Sequence, residues 1–226
     1  MTDAWFSIID IDDEKIQACL DAIILLANPG EKLGAHITLG GPYTSEPQVS
    51  ELDRAVRGSI IHVVGVGKFF NRNQNTVFLN CGSEIIRKSW RKKDYGFNPH
   101  MTIYDGSSRS EANNIFNALN GHRFYCSFTA GRVKTFQSIK GQRSMQISFS
   151  ADFELIGRYL GYTASPEIIR ALPAWKRLML IDRLCVWLTY LAAQRDRIGL
   201  GTERWEPEKS RKLGDGAVLA ARRQDD

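Results

Sequence analysis

The chain has 226 residues, 43% of them apolar, with 30 Lys and Arg against 25 Asp and Glu. That length holds one compact unit, or one unit with an appendage, and the apolar fraction is that of an ordinary soluble protein. A net charge of +5 and a pI near 9.1 favour a polyanionic ligand without identifying one. The four cysteines, Cys19, Cys81, Cys126 and Cys185, lie far apart, with no Cys-x-x-Cys pair and no histidine at ligand spacing. This argues against a zinc site and fits a reducing, cytoplasmic compartment. The opening Met-Thr-Asp-Ala-Trp is acidic and leads straight into a strand pattern, so no leader peptide is expected.

Trp5 to Asp10 reads as a strand and Asp12 to Ala27 as a helix, with Ile16, Leu20, Ile23 and Leu26 on one side. His36-Ile-Thr-Leu-Gly-Gly is a short strand ending in a glycine turn. A helix from Ser45 to Arg57 follows, with Val49, Leu52 and Val56 at helical spacing and Ser45 as its expected N-cap. Ser59 to Phe70 is a long β-like run, Asn71 to Asn75 a polar turn, and Thr76 to Cys81 the returning strand. The basic run Arg87 to Lys93 reads as a helix end and loop, where cations suit the C-terminal dipole. His100-Met-Thr-Ile-Tyr-Asp-Gly then repeats the earlier strand and turn. Ser108 to Asn120 repeats the helix, with Ala112, Ile115, Phe116 and Leu119 inward. His122 to Phe136, the turn Ser138 to Arg143, and Ser144 to Phe149 repeat the two strands. The order is strand, helix, strand, strand, twice, and such a repeat predicts two lobes related by a pseudo-two-fold.

The two repeat starts carry the chemistry. His36-Ile37-Thr38 and His100-Met101-Thr102 are both His-x-Thr, and the chain has only four histidines. On a strand, residues i and i+2 share a face, so each string presents an imidazole beside a hydroxyl. A single His-x-Thr says little, since strand histidines are commonly structural. Two with matched flanks, at matching places in a repeat, supply a proton acceptor, a proton donor and two hydroxyls for phosphate oxygens. That suffices for phosphodiester cleavage without a metal or cofactor. No glycine-rich phosphate loop and no paired carboxylates at metal spacing are present.

The paired motifs, the string Phe97-Asn-Pro-His-Met-Thr-Ile-Tyr104 and the repeated element order resemble the 2H phosphoesterase superfamily over about residues 3 to 155. The superfamily includes 2′,3′-cyclic nucleotide phosphodiesterases, the so-called 2′–5′ RNA ligases and phage anti-CBASS nucleases. The resemblance implies an α+β bilobal fold, with two pseudo-symmetric antiparallel-sheet lobes, helices outside and a central cleft. It implies His36 and His100 as general acid and base, and Thr38 and Thr102 as phosphate-binding residues. The implied substrate is a nucleotide or RNA end bearing a 2′,3′-cyclic phosphate or a 2′–5′ linkage, rather than duplex DNA. Cleavage of cyclic oligonucleotide immune signals, or binding of RNA ends without turnover, remain alternatives.

Other residues are weaker candidates. Lys68, Arg72, Lys134, Lys140 and Arg143 fall at or near the two hairpin tips beside Phe69, Phe70 and Phe136. Cations holding phosphates and rings stacking bases would make Phe69, Arg72, Phe136, Lys140 and Arg143 substrate contacts; solvated turns beside core aromatics are the bland alternative. Tyr104, two residues past Thr102, either lines the cleft or belongs to the core or rim. Its counterpart is Gly40, where open space would admit a base or ribose.

After residue 157 the pattern changes, with Pro166 and Pro173 as punctuation. Ala174 to Arg197 is a long helix with Trp175, Leu178, Leu184, Trp187, Leu188 and Leu191 on a broad apolar face. Its uncharged stretch is too short to span a bilayer, which takes about 20 residues. Packing on its own lobes, a homodimer through this helix, or a membrane surface would cover that face. The chain thus divides into a catalytic unit (1–157), a helical extension (158–200) and a charged tail of disordered composition (201–226).

Overall fold

The computed structural model describes residues 4–29, 34–90, 98–122, 126–138 and 153–197. In chain order these form β1 (Ala4–Ile11), α1 (Glu14–Ala27), β2 (Ile37–Tyr43), α2 (Ser50–Val56), β3 (Ile60–Phe70), β4 (Asn75–Gly82), α3 (Glu84–Ser89), β5 (His100–Gly106), α4 (Arg109–Asn120), β6 (Cys126–Ser138), α5 (Phe153–Leu160), α6 (Pro166–Ala171) and α7 (Ala174–Arg197). The expected return strand Ser144 to Phe149, the end of the basic run, and the tail from 201 lie outside the described residues.

The strands make one α+β sheet, all pairs antiparallel, in the order β2-β1-β6-β3-β4-β5. The repeat has five elements: β1-α1-β2-α2-β3, then β4-α3-β5-α4-β6. The two runs exchange their last strands. β3 pairs with β4 of the second run, and β6 pairs with β1 of the first. β6 belongs to both halves: Cys126 to Thr129 pair with β3, and Ala130 to Ser138 with β1. A repeat read from the histidines onward finds the right periodicity but starts one strand and one helix late.

Strand alternation separates two faces. In β2, Ile37 and Leu39 are buried and Thr38 is half-buried; in β5, Met101 and Ile103 are buried and His100 and Thr102 are half-buried. The buried set joins Ile9, Ile61, Val63, Val77 and Leu79, and meets α1, α4 and α7 in one continuous core. Two fully covered apolar side chains, Ile8 and Phe78, stand outside that core, on the histidine face. The edge strands β2 and β5 also lie against one another, so the sheet curls until its two edges meet.

Local signals set the helix boundaries. Asp13 caps α1, its carboxylate accepting the N–H groups of Lys15 and Ile16 at 3.1 Å. Ser108 caps α4 by accepting from Glu111 N–H, as expected. α2 is shorter than expected, starting at Ser50 after an uncapped Val49. Pro47 accounts for the loss of a start at Ser45, because it drives Glu46 out of helical conformation. Pro166 opens α6 at its first turn rather than interrupting the chain, with Ser165 as N-cap. The 157/158 division falls inside α5.

α7 has the expected bounds, and its apolar face is covered from within except at Trp175. Leu184 and Leu188 are fully buried, while Leu178, Trp187 and Leu191 pack against the core. The Cys19 thiol of α1 donates to the Leu184 carbonyl at 3.3 Å, and His122 meets Asp182 at 2.7 Å. A homodimer is therefore not required to cover this face. Trp175, Val186 and Tyr190 are exposed. All four cysteines are buried and none forms a disulfide, as small structural residues would be. Among the described residues, no helix is long and apolar enough to cross a membrane.

Leu184→Ala should therefore cost about 2–5 kcal/mol, measured by denaturant unfolding. A chain ending at residue 160 should be insoluble or unfolded, since it uncovers α1. A folded monomer by sedimentation would contradict this account of α7.

Candidate active site

The two histidines are held by the same local bond. His36 Nδ1 bonds the carbonyl of Gly34 at 2.7 Å, and His100 Nδ1 bonds the carbonyl of Asn98 at 2.9 Å. A carbonyl oxygen only accepts, so Nδ1 carries the proton in each ring and the lone pair of the neutral imidazole sits on Nε2. Each carbonyl lies two residues before its histidine, where the chain enters the edge strand. The bond fixes ring orientation and tautomer together, as a proton-transfer residue requires. Thr38 and Thr102, two residues on, are half-buried on the same face.

Each imidazole also meets an aromatic pair. The ring of His36 is edge-on to Phe136, centroids 6.5 Å apart, and Phe136 stacks on Phe6 at 5.1 Å. His100 is edge-on to Phe69 at 6.5 Å, and Phe69 stacks on Phe78 at 4.7 Å. Phe78 also lies 5.0 Å from His100. Phe136 and Phe69 sit on the exchanged strands β6 and β3, and their partners on β1 and β4. A side chain at Gly67 would overlap the ring of Phe78, so the glycine lets that ring lie flat across β3. Phe69 and Phe136 were legible as candidates. The sequence signal for Phe6 and Phe78 is alternation, which puts them on the face opposite Ser7 and Val77.

A bulge follows each threonine. Ile8 opposes Thr38 but Ser7 opposes Gly40, so Leu39 is extra; Phe78 opposes Thr102 but Val77 opposes Tyr104, so Ile103 is extra. The extra residue inverts the alternation. Tyr104 therefore turns away from Thr102 into the core side, 5% exposed, its hydroxyl 3.4 Å from Glu111 and 3.5 Å from the Ser108 carbonyl. Burial first, and the neighbouring Glu111 carboxylate second, push its phenol above the ordinary range. Tyr104 is thus a core residue rather than a cleft one. Nor is there open space at Gly40, where a Cβ would overlap the Tyr43 hydroxyl and crowd Ser7.

Among the described residues, the basic candidates Lys68, Arg72 and Lys134 have separate surroundings. Lys68 lies over the rings of Phe70 and Phe116, at 5.0 and 4.1 Å, on the helix side of the sheet. Lys134 is ion-paired with Asp10. Arg72 is exposed in the β3–β4 turn, three residues past Phe69. Lys140 and Arg143 lie outside the described residues. Among the described residues, no three His, Cys, Asp or Glu side chains gather as a metal-holding group.

Two further residues stand behind His36. Asp21, 3% exposed in the otherwise apolar face of α1, accepts the Ala35 N–H at 2.5 Å and the Gln17 amide at 2.8 Å through the same carboxylate oxygen. Gln17 also donates to the Ala35 carbonyl at 3.1 Å and accepts the Ile11 N–H at 3.0 Å. The sequence signal for Asp21 was an acid placed between Leu20 and Ile23 of a core helix, where an unpaired charge is too costly to be incidental. Compared with known proteins, the chain matches no family model and no curated protein.

Burial pushes the Asp21 carboxyl from 3.8 up to about 6, against the opposing pull of the Ala35 and Gln17 bonds. The folded protein thus holds this proton more tightly than the unfolded chain. The favourable contribution is complete below about pH 4 and is lost as pH rises through 6. Two pH units correspond to roughly 3 kcal/mol. The unfolding free energy of the wild type, relative to Asp21→Asn, should fall by about that amount between pH 3.5 and 7. A difference independent of pH would refute the assignment.

Proposed function

We propose that the protein is a metal-independent phosphodiesterase of the 2H type, acting on a nucleotide phosphodiester. On this reading the curled sheet is the bilobal 2H fold, its lobes being the two halves joined through β6. The observation that carries the reading is the matched setting of the two His-x-Thr strings. Both lie on edge strands that come together, both imidazoles hold the same tautomer through the carbonyl two residues back, and both are followed by a bulge. Structural histidines have no need of that correspondence.

One imidazole, through Nε2, takes the proton of the attacking hydroxyl or water. The other, protonated, gives its proton to the leaving oxygen. The roles exchange when the reaction runs in reverse. Thr38 and Thr102 donate hydrogen bonds to the phosphoryl oxygens as charge builds on them. Imidazole is the side chain that changes charge in the neutral pH range, so the pair can divide into one neutral and one charged ring.

The aromatic pairs favour a substrate with a base on each side of the scissile phosphate. Phe136 on Phe6 flanks one histidine, and Phe69 on Phe78 flanks the other. A 2′,3′-cyclic mononucleotide occupies one such platform. A 2′–5′ linkage or a cyclic oligonucleotide occupies both, each stacked base contributing about 1–3 kcal/mol.

A panel of 2′,3′-cyclic mononucleotides, 2′–5′ and 3′–5′ oligonucleotides and cyclic di- and trinucleotides tests this. Turnover should persist in EDTA, with a bell-shaped pH profile reporting one acid and one base. His36→Ala and His100→Ala should each lower it by at least about 10²-fold. Full activity of either variant would end the mechanism. Phe69→Leu and Phe136→Leu should raise KM with little change in kcat, the mark of binding shared by ground and transition states. If KM for every substrate is indifferent to both, the rings are not platforms.

A further inference from the structure

The two histidines stand on backbone that is supported differently. His100 is the first residue of β5 and pairs with Asn80 of β4. The residue before it, Pro99, has no N–H to satisfy, and its carbonyl accepts the Cys81 N–H at 3.0 Å. Backbone pairing with β4 therefore fixes the entry to that motif. His36 precedes β2, which begins at Ile37. The residue before it, Ala35, is buried and brings both an N–H and a carbonyl that the ladder does not take up.

Side chains of α1 meet both groups. Asp21 accepts the Ala35 N–H, and Gln17 donates to the Ala35 carbonyl. The two are joined to each other, since Gln17 spends its second amide hydrogen on Asp21. The Ile11 N–H at the end of β1 needs an acceptor, which fixes which end of the Gln17 amide is oxygen. The network is thus fully directed. It runs from β1 through Gln17 and Asp21 to the peptide that carries His36. A carboxylate inside an apolar helix breaks the local packing rule, and such exceptions belong where function requires them.

We propose that Asp21 and Gln17 are positioning residues for His36: by clamping the Ala35 peptide from behind, they hold the His36 ring against the Gly34 carbonyl and so set its tautomer. The clamp does in the first half what Pro99 and the β4 ladder do in the second. Its catalytic consequence rests on the phosphodiesterase reading above; its effect on the imidazole does not.

Nitrogen NMR of the histidine side chains tests the clamp in the full-length protein, beside the phosphodiesterase assay. In the wild type, both His36 and His100 should show the proton on Nδ1. Gln17→Met, at a half-exposed position, and Asp21→Ala should each move His36 toward the mixed tautomers of a solvated ring and leave His100 unchanged. With a cleaved substrate, the same variants should lower kcat by about 10- to 100-fold with KM within about twofold, the cost of a misplaced catalytic group. Asp21→Asn keeps the accepting oxygen and should restore both the His36 signal and kcat. A folded Gln17→Met protein whose His36 signal matches the wild type would overturn the proposal, even if Asp21→Ala fails to fold. So would an Asp21→Ala protein that loses stability alone. A wild type inactive on every linkage would remove the phosphodiesterase reading and leave the NMR comparison to decide the clamp.

Discussion

Everything in this molecule hangs on β6. Neither β-α-β-α-β run closes its own sheet, because the last strand of each is paired with the first strand of the other. β6 satisfies the backbone groups of β3 at its start and of β1 at its end. One strand thereby ties both halves into a single hydrogen-bonded layer. The exchange also leaves each run's middle strand, β2 or β5, at an edge. Those are the His-x-Thr strands, and the curl of the sheet brings them together.

Edge position has a chemical consequence. A residue at the entry to an edge strand has fewer ladder partners than one in the middle of a sheet. Its backbone must be steadied by other means, while its side chain stays half-exposed. His100 is steadied by β4, and the chain before His36 by α1. In both cases the imidazole spends Nδ1 on its own chain two residues back, which costs no long-range contact. The bulge after each threonine then ends the presented face at two residues, turning Gly40 and Tyr104 away from it.

The helices serve the other face. α1 is buried nearly all round because it lies between the sheet and α7, so it can carry a buried carboxylate to the back of the His36 strand. α7 is the lid on that helix. The region beyond residue 157 is thus continuous with the core, and its covered leucines belong to the same apolar cluster as the strands. α7 leaves Trp175, Val186 and Tyr190 exposed, with Tyr190 stacked on the half-buried Trp187 at 5.2 Å.

The sequence by itself determined the strand and helix periodicities, the internal repeat, the paired His-x-Thr strings and the bounds of α7. These are short-range properties, set by alternation, helical spacing and capping residues within a few positions. It did not determine the true start of the repeat, because strand exchange between runs leaves no local mark. It left Tyr104 open between cleft and core, because period-two reasoning holds only while no residue is inserted, and a bulge is decided by pairing with β4. It grouped Lys68 and Lys134 with the hairpin tips, although Lys134 pairs with Asp10 of β1 and Lys68 lies over Phe116 of α4. It passed over Gln17 and Asp21, whose role depends on a peptide 14 residues beyond Asp21. Tertiary structure decided these points because each is a contact between segments distant in the chain, and sequence spacing carries no information about which of them meet.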